Sequence, residues 1–557
     1  MQALIRDYGL ESRADILVRR AERLVFPSAV VLDSFTAIAK PPPERAVIRP
    51  QGLYKRNAAR DAAARQAAGE RLRKRLNLPP EVRIVLGVGY GDRRKGLDLF
   101  IEIGAIIMGG GADVAFVWVG EISTDLARDV SAAVSASGHS SRFKLLCFQA
   151  ATDDFYAGAD AYALTSREDP FPTVVMEALD VAVPVVAFEG GGGSVELLRD
   201  GSGLLAPAGD TTAFAAQLER LLTNPGLAAD LGGAGKQRVD FEFSFARYVD
   251  DLRVMLDPSF QRVSVVVPNF NYARYLPQRL ASIDGQHRRP YEIILLDDAS
   301  SDDSLAVVAG LLPSIATPVK VILNAQNSGS VFRQWFKGVE ACSGDLVWIA
   351  EADDLADLEF LRAACKAFDD PTVVMSFCQS KQMDEQGRIL SDHYLDYVAD
   401  IGAAHWTGPY VADGREEIRR RLSVKNTVPN VSGVVFRKDV LLKVLREGID
   451  DIAAYRNAGD WVTYIKVLQA GRIAFDPRSL NLHRRHGQSV TLGAFNERQL
   501  REILKVQQWV AKEFGVPGDA AKVAAAYAED LYARFGLATE PGASLATDPR
   551  LADLLAR

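Results

Sequence analysis

The stretch Gly344–Leu355, GDLVWIAEADDL, decides the fold of the second half of this chain, and Tyr291–Asp303, YEIILLDDASSDD, repeats its plan. Each is a short apolar run of strand type that ends abruptly in a cluster of carboxylates. A core cannot hold several ionised acids without partners, because each unpaired buried charge costs on the order of several kcal/mol. Two such clusters at the carboxyl ends of two strands point to a site for something cationic. The simplest candidate is a divalent metal carrying a phosphate ester.

Outward from these runs the chain alternates strand-like and helix-like segments. VSVVVPNFN (263–271) reads as a strand halted by proline and asparagine, and EIILLD, VKVILN, DLVWIA and TVVMSFC as further strands. A separate block begins earlier, with RIVLGVG (83–89), a helical LDLFIEIGAIIM, VAFVWVG (114–120) and a polar helix near 122–137. FKLLCF, AYALTS and VPVVAF follow it. This alternation predicts an α/β fold with two Rossmann-like blocks, each a largely parallel sheet covered on both faces. The expected divisions are 1–80, 81–257, 258–495 and a helical extension over 496–557, where residues 497–536 read as one or two amphipathic helices.

The bulk numbers agree with that division. At 557 residues several domains are expected, and 48% apolar with 25% charged residues supports sizeable cores. A net charge of −7 gives no reason to expect nucleic acid as a partner. The start, MQALIRDYGLESRAD, lacks the apolar stretch of a secretory signal, and no run approaches the ~18 residues of a membrane span. Cys147, Cys342, Cys365 and Cys378 have no metal-ligand spacing and read as reduced thiols of a cytoplasmic protein.

Asp297 and Asp298 end the second strand of the later block, followed by Ser300 and Asp302; helix capping accounts for Ser301 or Asp302 but not for the paired aspartates. Glu351, Asp353 and Asp354 offer hard oxygen ligands of the kind that suit Mg²⁺ or Mn²⁺. Trp335 and Trp348 sit in apolar periodic contexts and read as core.

VVVPNFN, LLDDASSDDS, NSGSVFRQWFKGVEACSGDLVWIAEADD and AGDWVTYIKVLQAG together resemble family-2 glycosyltransferases of the GT-A fold, over roughly residues 262–490. The resemblance implies that Pro268, Asn269 and Asn271 border a nucleotide and that Asp298, with Asp297, meets its base. It implies that Asp353 and Asp354 occupy the acid-x-acid metal motif, with Glu351 standing where aspartate is commoner. Asp460, in GDW, would occupy the catalytic-base position, and His483, Arg484 and His486 resemble the basic cluster that closes over the diphosphate. GDW also reads as a helix N-cap, and the two roles are compatible.

Residues 81–230 resemble the donor-binding half of family-4 glycosyltransferases, which have the GT-B fold, on GVGYGDRRKGLDLFIEIG, ADAYALTSREDPFPTVVMEALDVAVPVVAFEGGGGSVELL and DGSGLLAPAGD. There Lys95 fits the donor-contacting lysine, and Asp169 with Glu177 the acid-x₇-Glu pair. Tyr90 stands where arginine is common. The glycine run 190–193 reads either as a diphosphate cradle or as a flexible loop. About eighty residues precede this block and look like the last pieces of an acceptor domain, so the block is expected to be an incomplete GT-B with little activity of its own.

Together these resemblances imply an inverting, metal-dependent transferase acting through 262–490. It would move sugar from a nucleotide-sugar donor to a glycan or lipid-linked acceptor in bacterial surface-polysaccharide synthesis. Two alternatives stay open: both blocks active in succession, or a first block that only binds nucleotide-sugars or glycans. A cytoplasmic protein, with peripheral association at the inner face of a membrane, is the expected setting.

Overall fold

A computed structural model describes residues 11–485, 496–537, 544–548 and 550–551. The chain divides into two compact units, Met1–Met255 and Leu256–Arg557.

In the first unit, Leu24–Phe26 and Ala46–Ile48 form a two-stranded parallel pair. A six-stranded sheet follows, built from β1 (Arg83–Val88), β2 (Val114–Val119), β3 (Phe143–Leu146), β4 (Ala161–Leu164), β5 (Val185–Phe188) and β6 (Leu204–Ala206). Its strands are parallel throughout, in the order β3-β2-β1-β4-β5-β6. Alternate residues of β1 go to opposite faces: Ile84 and Leu86 join one apolar core and Val85 the other. That is why the strands read as unbroken apolar runs rather than alternating ones. Helices α1 (Ala62–Arg75), α2 (Leu97–Gly109) and α3 (Thr173–Asp180) belong to this unit.

The second unit holds a ten-stranded mixed sheet. Its main strands are β7 (Val263–Asn269), β8 (Glu292–Asp297), β9 (Val319–Leu323), β10 (Leu346–Ile349), β11 (Leu355–Ala356), β12 (Val373–Met383), β13 (Val434–Arg437) and β14 (Arg472–Arg484). They lie in the order β9-β8-β7-β10-β13-β12-β14-β11. Strands β7 to β10 are parallel where they pair, and β13 is antiparallel to both β10 and β12, while β12 and β14 are parallel. The carboxyl ends of β7, β8, β10 and β14 therefore gather on one edge, as ligand sites of open α/β sheets require.

Contrary to the sequence reading, β7 does not stop at its proline. It runs through Pro268, paired with Leu296, to Asn269. Pairing with β10 ends earlier, at Val266–Ile349, so the missing N–H of Pro268 lies where the strand is already an edge on that side.

Around this sheet lie α4 (Leu276–Asp284), α5 (Val331–Ala341), α6 (Lys438–Ala453) and α7 (Gly459–Leu468). At Gly338, α5 comes so close to the sheet that a Cβ would overlap the side chains of Val266 and Leu296. Two further helices, α8 (Glu497–Phe514) and α9 (Gly518–Arg534), pack within the same unit; Ala520 and Ala524 of α9 bury against Val424. Trp335 and Trp348 are core residues, 2% and 0% exposed. Cys342, Cys365 and Cys378 are buried in this unit, whereas Cys147 in the first is exposed.

Candidate active site

The carboxyl edge of the second unit starts with β7 and β8. Asn269 is buried and donates from Nδ2 to Asp297 Oδ2 (2.8 Å) and to Ser300 Oγ (3.2 Å). Asn271 Oδ1 accepts from the backbone N–H of Ser301 (2.7 Å) and Asp302 (3.3 Å), tying the loop after β7 to the loop after β8. Both loops carry left-handed residues, Asn271 (φ 59°) and Ala299 (φ 60°). An alanine there costs of order 1–2 kcal/mol, which the surrounding bonds must offset.

Asp298 is 5% exposed and its carboxylate is fully subscribed. Oδ1 accepts from Asn324 Nδ2 (2.6 Å), Ser328 N (2.9 Å) and Gln334 Nε2 (3.0 Å), and Oδ2 from Ser328 Oγ (2.8 Å). Paired aspartates at this strand end thus fasten two loops: Asp297 the 269–300 turn, Asp298 the 324–334 segment.

The acid cluster follows β10. Asp354 is buried; Oδ2 accepts from Asn430 Nδ2 (2.8 Å) and Oδ1 from the backbone N–H of Arg484 (2.8 Å). Glu351 is partly buried and accepts from Trp335 Nε1 (2.8 Å). Burial and the nearby Asp353 push the Glu351 carboxyl up to about 8, and the same two causes raise Asp354. Tyr272 is likewise raised by burial and by the charges of Asp353, Glu351 and Asp354. This crowding of like charge is what a bound cation would relieve.

Among the described residues no three or more His, Cys, Asp or Glu side chains form a ready-made metal cage. The donor set instead fits an ion such as Mg²⁺ or Mn²⁺ that takes one or two carboxylates and completes its shell with substrate phosphates and water.

Beneath the cluster lies Arg279 of α4, 0% exposed, with its guanidinium over the Trp348 ring at 4.9 Å. None of its three nitrogens has a hydrogen-bond partner among the described residues. Burial pulls it down to about 10, against the opposing charges of Asp354, Asp353 and Glu351. Arg279 is thus the buried counter-charge of the cluster. Arg279→Met is expected to destabilise the fold by roughly 3–5 kcal/mol, because it strands buried carboxylates. The loss should be smaller at pH 5 than at pH 9, since Glu351 is protonated below about 8 and charged above it. Urea denaturation at the two pH values checks this.

Arg484, 2% exposed, ends β14 and clasps the acid loop. Its Nε donates to the Asp353 carbonyl (2.6 Å), its Nη1 to the carbonyls of Asp384 (3.1 Å) and Glu385 (3.0 Å). His483 Nδ1 lies 2.6 Å from the Tyr394 hydroxyl. His486 lies outside the described residues.

Asp460 stands in the first turn of α7, whose N-cap is Ala458 rather than Asp460 itself. It is partly buried. Oδ2 accepts from Asn426 Nδ2 (2.9 Å) and Oδ1 from the N–H of Trp461 (2.7 Å). Burial pushes its carboxyl up to about 6, with Glu502 adding to the rise and the two donors opposing it. A continuous wall joins this carboxylate to the acid cluster. Gly459 packs on the Phe332 ring, that ring meets Trp335 edge-on at 5.0 Å, and Trp335 holds Glu351.

In the first unit, Lys95 Nζ forms an ion pair with buried Asp169 (2.5 Å). The glycine run closes on the same residue: Gly192 (φ 121°) bridges Asp169, where a Cβ would strike the Asp169 carbonyl. That close approach, rather than flexibility, explains Gly192. The helix behind them, Ser194–Leu198, is only five residues long. Glu177, on α3, is raised by burial, and its charge and that of Asp169 both bear on buried Tyr162.

Sequence reading did not single out Asn426, Asn430, Tyr272 or Arg279. For Arg279 a signal was there: it falls on the apolar stripe of α4 beside Leu276, Leu280 and Ile283, where an arginine needs an internal partner. The two asparagines sit in irregular loops and gave none.

Residues 69–238 match the family model described as Glycosyl transferases group 1, and residues 264–445 that described as Glycosyl transferase family 2. The chain thus joins a GT-B-type group 1 domain to a GT-A family 2 domain. Among its relatives are an uncharacterized glycosyltransferase, alr2836, of Nostoc sp., and the lipopolysaccharide core biosynthesis glycosyltransferase LpsE of Rhizobium meliloti. The first is 28% identical over 33% of this chain and 53% of that protein. The second is 27% identical over 31% and 49%. The chain spans about half the length of these curated relatives. A solved structure, Anabaena HepE in complex with UDP-glucose, is similar at 21% identity and a TM-score of 0.40, over 45% of this chain and 67% of that one.

Proposed function

We propose that the second unit transfers a sugar from a nucleoside-diphosphate sugar to an acceptor hydroxyl with inversion, and that Asp460 is its general base. The carrying observation is Asp460 itself. It is a carboxylate at a helix start, ionised above about pH 6, partly open, and joined by one wall to the acid cluster at the carboxyl edge.

In this reading the acceptor O–H gives its proton to Asp460 as its oxygen attacks the anomeric carbon. The bond from that carbon to the donor phosphate breaks, and its electron pair leaves on the nucleoside diphosphate. Asn426, donating to Oδ2, holds the carboxylate in place through the step. Glu351 and Asp353 are the residues that would hold Mg²⁺ or Mn²⁺, with Asp354 behind them through the lone pairs its two donors leave. When bound, such an ion neutralises the developing charge of the leaving diphosphate. Pro268, Asn269, Asn271 and Asp297 shape the loop pair that would border the nucleotide, and Asp298 fixes that border from within. Arg484 would act by holding the acid loop, since its guanidinium is already spent on carbonyls.

A glycan or lipid-linked glycan is the acceptor class we favour, supported by the lipopolysaccharide-core name of one relative. Among the described residues no helix is long and apolar enough to cross a membrane.

The first unit is proposed as a support without turnover of its own, because Lys95, the lysine expected to contact a donor, is already paired with Asp169. Lys95→Ala is therefore expected to leave donor turnover within about twofold of wild type, whereas Asp354→Ala and Asp460→Ala each abolish it. Release of nucleoside diphosphate from a panel of nucleotide-sugars, with and without Mn²⁺, measures all three. Loss of turnover in Lys95→Ala alone would move the active site to the first unit.

A further inference from the structure

Helix α8 reaches both segments of chain that hold Asp460. Glu502, 6% exposed, accepts three backbone N–H groups from the loop leading into α7: Arg456 (2.9 Å), Asn457 (2.8 Å) and Ala458 (3.1 Å). Ala458 is the N-cap of α7, two residues before Asp460. A buried carboxylate is costly unless several donors answer it, and here the donors are the first backbone groups upstream of the candidate base.

Five residues along the same helix, Gln507 donates from Nε2 to the Val424 carbonyl (2.8 Å) and to the Ala524 carbonyl of α9 (3.2 Å). Val424 lies two residues before Asn426, the donor to Asp460 Oδ2. The stretch between is fixed as well. Lys425, 4% exposed, pairs with Asp400 (2.6 Å) and stands 4.1 Å from the centre of the Tyr527 ring of α9. On the other side, Trp461 Nε1 donates to the Leu422 carbonyl (3.0 Å).

We propose that α8 is a positioning element of the active site, in which Glu502 and Gln507 clamp the 456–458 and 424–426 segments and so set the place of the Asp460 carboxylate. The carboxy-terminal helices then belong to the catalytic machinery rather than to a tail. The proposal rests on the reading of Asp460 as base. It assigns Glu502 and Gln507 no contact with substrate: both act through Asp460.

The charge of Glu502 adds a second effect. The titratable groups bearing on Asp460 are Glu502 from α8, Tyr464 from α7 itself and Tyr397 from the 396–398 turn; both tyrosines are held far above their ordinary range by burial. Glu502, which itself pairs with Arg498 one turn earlier on α8 (3.5 Å), raises the Asp460 carboxyl. Its removal lowers the Asp460 carboxyl toward its ordinary value, so the acid limb of the rate profile moves to lower pH.

The test is a pH profile of nucleoside diphosphate release by the full chain, with Mn²⁺ and the best donor from a panel of UDP-, GDP- and dTDP-sugars. Wild type, Asp460→Asn, Glu502→Gln, Gln507→Ala and Lys505→Ala are compared. Glu502→Gln and Gln507→Ala should each lose about 10- to 100-fold in kcat with donor KM little changed, as misplacement of a catalytic group by up to about 1 Å does. Glu502→Gln should also shift the acid limb downward. Lys505→Ala, on the exposed face of α8, should match wild type.

If Glu502→Gln does not fold, Gln507→Ala carries the test through the other half of the clamp. Should Asp460→Asn lose turnover by about 10²-fold or more while Glu502→Gln and Gln507→Ala keep wild-type kcat and limb, α8 is mere packing and the proposal falls. Should Asp460→Asn keep wild-type turnover, the base assignment itself fails, and the clamp with it.

Discussion

Asp460→Asn is expected to lower sugar transfer by about 10²- to 10⁴-fold, the range that a positioned general base supplies. The fold should survive, because asparagine matches the shape of the residue it replaces and Oδ1 can still accept the N–H of Trp461. Asn426 would meet an amide in place of a carboxylate oxygen, a change confined to one hydrogen bond. Donor KM should change little, since the base contributes to the transition state and not to donor binding.

The pH dependence has a definite sign. Only the ionised form of Asp460 can take a proton, and burial has raised its carboxyl from 3.8 to about 6. Wild-type kcat/KM should therefore fall as pH drops through about 6, and the residual activity of Asp460→Asn should lack that limb. The stability consequence runs the other way. A carboxyl raised by folding favours the fold while protonated and disfavours it once charged, so this residue's contribution is lost as pH rises from about 4 to about 6. Asp460→Asn should then be more stable than wild type at pH 8 and close to it at pH 4. Greater stability with lost activity is the signature expected of a functional group kept at a structural cost.

Asp298→Ala is expected to be strongly destabilising, for a different reason. Its carboxylate gathers four donors, from Asn324, Ser328 twice and Gln334; alanine would take this acceptor from all of them, and among the described residues only Gln334 Nε2 and Ser328 Oγ have a second one. A buried donor left unanswered costs about 1–3 kcal/mol, and partial relaxation brings the expected total to roughly 3–5 kcal/mol. Asp298→Asn should cost less, because one acceptor oxygen remains. Urea denaturation with separate probes of the two units checks this, since the transition of the first unit should not move. Donor turnover by the folded fraction should fall too, as the 324–334 segment comes free from the strand end.

How far the sequence carried depends on the distance over which each feature is decided. Strand runs such as EIILLD and DLVWIA are local, apolar and capped by acids, and all of them are strands. The α/β class and the order of a GT-B-type half before a GT-A domain follow from such runs and their motifs, and the family models match both segments. Two local readings needed correction. The proline of VVVPNFN was read as a strand end, yet Pro268 stays in register with Leu296 because β10 has already stopped. Asp460 was read as a possible N-cap, yet the helix begins one residue before it.

What was not legible is the set of partners that decides each acid's chemistry. Asn430 answers Asp354 from 76 residues away, Asn426 answers Asp460 from 34, and Glu502 reaches Ala458 from 44. These pairings arise only when the 426–430 loop and α8 come back to the acids in the folded chain, and none leaves a spacing in the sequence. Nor does any spacing announce the loop donors from 324 to 334 that gather on Asp298.

The arrangement of thiols has a practical use. Burial pushes Cys365 up to about 11 and Cys378 up to about 12 in the second unit, so neither offers a thiolate near neutral pH. Cys147, exposed in the first unit, is left as the accessible site for a maleimide dye. A fluorophore attached there would mark one half of the protein without mutagenesis, and later uptake of a second dye at the sealed sulfurs would time the opening of the other half.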